Sequence, residues 1–254
     1  MNRLNLKHIP LLSLFIFGLI MVNSCAGQGN KSPKSKEGVK NTDTLYTYRE
    51  GDPNGIGKWY MGREIAHVMG FQGIGWLERS NREEEERTSL LLDNMQIGTE
   101  DTIADIGAGS GYHVFKMADI VEEGLVYAVD IQDEMLAAMR EKKDQQKVIN
   151  VKLVKGGPKS VNLPENSVDK VLMVDVYHEF DHPAEIIASV VKAMRSDGKL
   201  YLIEYRMEDS DVPIKRIHKM SEAQAVKEME AAGLKLKQNI DNLPWQHCMV
   251  FEKE

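Results

Sequence analysis

The 254-residue chain has only two cysteines, Cys25 and Cys248. A small disulfide-stapled fold is therefore excluded, and stability must come from an apolar core. Basic residues are not in excess. The formal net charge is −7, so no global positive field attracts nucleic acid, and no aromatic-plus-basic stripe replaces it. No internal repeat marks a solenoid. The histidines lack His or Cys partners at ligand spacing, and the acidic stretch Glu83 to Glu86 lacks the glycine of a calcium loop. No metal site is expected on those grounds, and the acidic stretch reads as a solvated helix face. The apolar run from Ile9 to Val22 is interrupted by Pro10 and is short for a membrane-spanning helix.

Arg3 and Lys7 precede that run, which gives it the charged and apolar regions of an export signal. It ends in Val22-Asn23-Ser24-Cys25, which resembles a bacterial lipobox with Val22 in place of the commoner Leu. The resemblance implies a signal peptide over residues 1–24 and lipidation of Cys25. The protein is then expected in the bacterial cell envelope, attached to the membrane by an N-terminal lipid anchor and facing the periplasm. A plain signal peptide, or an uncleaved anchor facing the cytoplasm, are the alternatives. Residues 25–45 are rich in Lys, Gly, Ser and Asn, a tether composition. Cys248 lies in the apolar run Cys-Met-Val-Phe and reads as a buried strand residue.

Residues 46–98 read as a helical cap broken by Gly70, Gly73 and Gly75, with Asn81 capping a helix that runs through the acidic stretch to Leu92. From Asp101 the texture changes to short apolar runs alternating with helical patterns. Strands are expected at 102–106, 125–130, 151–154, 170–174, 199–205, 234–239 and 247–252. Helices are expected at 112–121, 133–143, 183–194 and 221–232. This alternation predicts an α/β domain over 99–254, with a mainly parallel seven-stranded sheet between helices. The last two runs share only a short link, so the final strand should be antiparallel.

One turn carries most of the chemical information. Asp105-Ile106-Gly107-Ala108-Gly109-Ser110-Gly111 ends a strand and opens a helix. Glycines there let a ligand approach the backbone, and the helix start offers free N–H groups. A dinucleotide fingerprint needs a glycine where Tyr112 stands, so NAD is disfavoured. A phosphate-binding P-loop is excluded because no Gly-Lys-Ser/Thr follows. Asp130 ends the next strand, 19 residues after Gly111, where a carboxylate can accept from both ribose hydroxyls.

Asp105 to Gly111 resembles motif I of the class I S-adenosylmethionine-dependent methyltransferases, and Val126 to Asp130 resembles their ribose-binding strand. Asn166 to Val171 and Met194 to Leu200 resemble the approaches to their fourth and fifth strands, with Ser196-Asp197 replacing Pro-Gly. The likeness spans residues 100–252. It implies a Rossmann-like fold and S-adenosylmethionine as cofactor. By it, Asp105, Gly107, Ala108, Gly109 and Gly111 lie at the methionine part, Asp130 at the ribose and Ile131 at the adenine, with Asp175 among the cofactor contacts. The acid that many members carry after the third strand is absent from Lys155-Gly156-Gly157-Pro158. Arg63 to Gly70, Trp76 to Arg79, Asp175 to Phe180, Pro213 to Lys215 and His218 to Met220 also resemble a bacterial group of methyltransferase-domain proteins of unknown substrate.

Residues just past the fourth strand face the ligand edge of such a sheet. His178 is the candidate base, Glu179 its orienting partner, and Tyr177 a residue to pack on the cofactor or line the acceptor pocket. Tyr205, Arg206, Lys215, His218 and Lys219 are candidates for a cationic wall. His67 reads as packing within a helix, and Trp76 as a lid or an apolar staple. The Asn/Asp-Pro-Pro-Tyr motif of nucleic-acid amino-methyltransferases is missing. The expected function is methyl transfer to a small-molecule acceptor. The alternative is a non-enzymatic envelope lipoprotein that keeps the fold and binds the cofactor. The sequence leaves the oligomeric state open.

Overall fold

The computed structural model describes residues 45–254; the expected signal peptide, lipidated Cys25 and most of the tether lie outside them. Among the described residues no helix is long and apolar enough to cross a membrane.

The first described segment corrects an expectation. Residues 46–66 are strands, not helix: β1 (Tyr46–Tyr48), β2 (Gly55–Tyr60) and β3 (Arg63–Ala66) form an antiparallel sheet in that order. Tyr60 pairs with Arg63 across Met61-Gly62, whose φ angles are 48° and 100°. Two successive left-handed residues make the tight hairpin that matches strand twist. Met in the first place hid that signal. His67 follows β3 as an exposed residue outside any helix.

Helical pieces then follow: α1 (Ile74–Leu77), α2 (Arg82–Glu86) and α3 (Thr88–Met95). The single helix expected from Asn81 to Leu92 is broken at Arg87, which takes a left-handed φ of 50°. Asn81 does not cap α2 through its side chain; its amide donates to Glu85 Oε1 at 2.6 Å.

The remainder is the expected α/β domain. Its strands are β4 (Thr102–Ile106), β5 (Leu125–Asp130), β6 (Val151–Lys155), β7 (Val168–Val174), β8 (Met194–Tyr205), β9 (Leu234–Asn239) and β10 (Gln246–Lys253). The helices are α4 (Tyr112–Ala118), α5 (Asp133–Gln146), α6 (Pro183–Ala193) and α7 (Glu222–Glu230). The sheet order is β6-β5-β4-β7-β8-β10-β9, and only β10 runs against the rest. Alternation along β4 sends Ala104 and Ile106 into one apolar cluster and Ile103 into the other, so each face of the sheet has its own core. After β6 the chain crosses to the other side of β4 to begin β7. That reversal leaves a crevice at the carboxyl ends of β4 and β7.

Candidate active site

The crevice is a cavity of about 940 Å³. Its floor comes from the strand ends, and residues 67–69, 76, 77, 82 and 86 supply a further wall.

On the β4–β5 side, Gly107, Gly109 and Gly111 all take left-handed φ, of 76°, 54° and 79°. The N–H groups of Gly107 and Ala108 both donate to the Val129 carbonyl, at 2.8 and 3.0 Å, which ties the turn to the end of β5. Gly109 N–H donates to Asp130 Oδ2 and Gln132 N–H to Asp130 Oδ1, each at 2.8 Å. Those two donors fix the carboxylate, and each oxygen keeps lone-pair capacity. Gly107, Gly109, Asp130 and Ile131 all line the cavity, as do Gly156 and Gly157. Asp105 is buried beneath the turn with Oδ2 unpartnered. Burial, against the favourable charge of Arg82 and reinforced by Asp130, pushes its pKa up to about 7. Burial likewise raises Asp130.

On the β7–β8 side, a 3₁₀ turn over Tyr177–Glu179 carries His178 into the cavity wall. The His178 Nδ1 edge meets Glu204 Oε2 at 2.6 Å, and the Glu204 side chain is fully buried near the end of β8. Burial alone would lower the His178 pKa, but Glu204 and then Glu179 outweigh it and raise it above the ordinary value. The orienting acid is thus Glu204, not Glu179 as expected. Glu179 Oε2 instead accepts from Met69 N–H at 3.0 Å, while Oε1 stands 3.7 Å from His178 Nε2. His218 brings Nδ1 to 3.2 Å from His178 Nε2. Three potential metal donors therefore converge where none was expected, because the 38 residues between Glu179 and His218 conceal their proximity in sequence.

The third side is an ion-pair network. Glu86, buried in α2, accepts from Arg79, from Arg82 Nε at 2.7 Å and from the Tyr205 hydroxyl at 3.0 Å. Asp175 lies nearby with φ 50°; Gln246 donates to its Oδ2 at 2.7 Å, and its Oδ1 is buried without a partner. Burial first, then the Glu86 and Glu204 charges, hold the Asp175 pKa well above the carboxylate range.

Several expected site residues lie elsewhere. Tyr177 is fully buried; its hydroxyl donates to Glu228 Oε2 at 2.6 Å and its ring packs under the Arg63 guanidinium, so it does not wall the acceptor pocket. Asp105, Ala108 and Gly111 do not line the cavity. A Cβ on Gly111 would meet the Phe115 ring at 2.6 Å, which makes that glycine a helix-packing residue. Arg206 is engaged by Asp241 and the carbonyls of Leu243 and Pro244, and Lys219 by the Asp209 carbonyl. Of the expected cationic wall only Lys215 and His218 line the cavity, together with Tyr205. Trp76 lines it too, with the Arg79 guanidinium 3.8 Å over its ring. Cys248 is a buried strand residue as expected, and burial pushes its thiol up to about 11.

Residues 97–248 match the model of the methyltransferase domain family. Over 122 residues the chain is 25% identical to the Bacillus subtilis methyltransferase YcgJ, which covers 48% of this chain and 47% of the relative. Over 142 residues it is 28% identical to the ubiquinone/menaquinone biosynthesis C-methyltransferase UbiE of Shewanella piezotolerans, covering 55% of each. The chain thus spans about half the length of these curated relatives. A solved S-adenosylmethionine-dependent methyltransferase from Aquifex aeolicus superposes with a TM-score of 0.68 at 23% identity, covering 72% of this chain and 98% of that one. With the motif I turn, the strand-terminal Asp130 and the strand order already described, these likenesses place the chain in the class I S-adenosylmethionine-dependent methyltransferase family.

Proposed function

We infer that the protein binds S-adenosylmethionine in the β4–β5 half of the cavity and methylates a small molecule held in the β7–β8 half. The observation that carries this reading is the placement of Asp130 and Gly109 opposite His178 across one cavity. The donor set fits the cofactor. Asp130 has spare acceptor capacity for hydroxyls, and the glycine turn has no side chain to obstruct a ligand. Asp130, Asp175 and Glu179 line the cavity, and burial raises the pKa of each by more than the nearby Lys155, Arg82 and His178 charges offset, which leaves them short of counter-charge. A cationic, hydroxyl-bearing ligand supplies what they lack. With no acid after β6, the Gly156-Gly157 backbone and the Ile131 side chain are the surfaces left for the adenine.

Bound there, the cofactor supplies a methyl group already activated toward a nucleophile. The chain's own residues supply position and exclusion of water. Glu204 fixes the His178 ring, so that Nε2 is turned to the acceptor half of the cavity, beside His218. Lys215 lines the same half and favours an acceptor with an anionic group, whereas burial and then the His178 and Lys215 charges lower the His218 pKa to about 4, so that its ring offers polar contact without charge.

Calorimetric titration of adenosylhomocysteine tests the binding half. Gly109→Val and Asp130→Ala should each weaken it by roughly ten- to a hundredfold, about the loss of one or two hydrogen bonds. Wild-type affinity in either variant, with an unchanged circular dichroism spectrum, would overturn the reading. His178→Ala separates an enzyme from a non-catalytic binding protein. Turnover, measured with an acceptor found by screening extracts, should fall by about 10²- to 10⁴-fold while cofactor affinity holds. Tight cofactor binding with no transfer to any extract would favour the binding protein.

A further inference from the structure

The grouping of His178, Glu179 and His218 has the form of a metal centre. His178 Nε2 and His218 Nδ1 are 3.2 Å apart, and Glu179 Oε1 stands 3.7 Å from each. Three ligands at the usual zinc distances, set tetrahedrally, would be separated by about 3.3 Å. The triangle needs to contract by only a few tenths of an ångström along two edges to hold such an ion. We propose that these three side chains ligate a divalent transition-metal ion, of which Zn²⁺ is the type, with its remaining coordination positions opening onto the cavity.

The surroundings support this independently of the triangle. Metal-ligating histidines commonly give their other ring nitrogen to a carboxylate, which fixes the tautomer and aims the free lone pair. Glu204 does this for His178 at 2.6 Å from a fully buried position. Glu179 is held in the same way, since Met69 N–H takes Oε2 and leaves Oε1 toward the histidines. The His178 ring is 2% exposed, so its cavity-facing nitrogen has no bulk water to solvate it. The two imidazoles face each other nitrogen to nitrogen at 3.2 Å beside the carboxylate, an arrangement that a shared N–H or a cation satisfies. Two nitrogen donors and one oxygen suit zinc and its first-row neighbours; magnesium and calcium call for oxygen ligands.

Such an ion narrows the acceptor to a molecule with a hydroxyl, thiol or carboxylate able to occupy an open coordination position. That consequence rests on the cavity being the methyl-acceptor site, whereas metal binding does not.

The test uses tag-free full-length protein, stripped with chelator and titrated with Zn²⁺ and, separately, Mg²⁺. Mass spectrometry of the metal content gives stoichiometry. The expected result is one zinc per chain, no uptake of Mg²⁺, and visible ligand-field bands from a Co²⁺-substituted sample. Glu179→Gln and His218→Ala should each weaken zinc by at least about a hundredfold, and Glu204→Gln by roughly ten- to a hundredfold. His218 is partly exposed and Glu179→Gln is isosteric, so folding is checked by thermal melts and not assumed. No zinc uptake by the folded wild type, or unchanged affinity in both ligand variants, overturns the proposal. Adenosylhomocysteine is titrated in parallel. Its binding without zinc would leave the cofactor reading standing, and zinc binding without it would do the reverse.

Discussion

Individual carboxylates reveal what the folded protein tolerates for the sake of its cavity. Asp105, beneath the glycine turn, is one case, with a fully buried carboxyl raised to about 7 from an ordinary 3.8. Because its folded pKa lies above its unfolded one, the native state holds a proton that the unfolded chain has already lost. Stability is therefore fully present below about pH 4 and falls as pH rises toward 7. A difference of that size amounts to on the order of 4 kcal/mol. Asp105→Asn should raise the thermal midpoint of the ligand-free protein at pH 8 and change it little at pH 4. Asp175 is shifted the same way, so a shallower decline should persist in the variant. Chemical denaturation of both proteins across that range measures the difference, and parallel curves would refute it. His178 is raised for a different reason, since Glu204 and Glu179 favour its charged form over the penalty of burial, and its contribution too is present at low pH and lost as pH rises through its folded value.

At the scale of elements, the three glycines of one turn divide into two kinds. Gly107 and Gly109 border the cavity, whereas Gly111 caps α4 against Phe115 and Met139. Its N–H goes to the Ala108 carbonyl at 2.9 Å, so it has no donor to offer a ligand. Gly111→Ala should thus cost about 2 kcal/mol, from the left-handed φ and the overpacked ring, and leave adenosylhomocysteine affinity near that of the wild type. Gly109→Val carries the same left-handed strain, with only the flexible end of Leu77 to displace, but should in addition lose adenosylhomocysteine affinity. Urea denaturation and calorimetry on the same two variants check the division. Equal losses of affinity in both would show that the turn acts as one ligand-binding unit. α2 is a second element whose role was hidden. The acidic stretch Glu83 to Glu86 read as a solvated face, which holds for Glu83 and Glu84, yet Glu86 is buried at the cavity with Arg82 and Tyr205.

Across the whole molecule, what could be read from the sequence was what depends on local pattern. The glycine turn, Asp130 and the alternation of strands and helices needed only neighbours in the chain; β4, β5 and β9 fall within the expected bounds. What escaped were pairings across distance. Glu204 gave one faint sign, an acid in the otherwise apolar end of β8, but its partner His178 lies on another strand's end. Arg63 and Glu228 gave none. They form a two-contact ion pair, 2.9 Å at each, between the N-terminal sheet and α7. Arg63 also donates to the His178 carbonyl at 3.1 Å, and Glu228 accepts from Tyr177. This buried cluster joins β3, the His178 turn and α7. Arg63→Ala would leave the Glu228 carboxylate in the interior without its cation, a change that typically costs about 3–5 kcal/mol. The expected signature is a large fall in the urea midpoint, with amides of β1–β3 exchanging well before those of β4 and β7. Replacing both partners, Arg63→Met with Glu228→Leu, removes the charges together and should recover most of the lost stability. It should not restore full turnover, because the His178 carbonyl has then lost its donor. A single Arg63→Ala variant within about 1 kcal/mol of the wild type would mean that the N-terminal sheet is held by its Tyr46, Tyr60 and Ile65 packing and by its other polar contacts, such as Lys58 with Asp181.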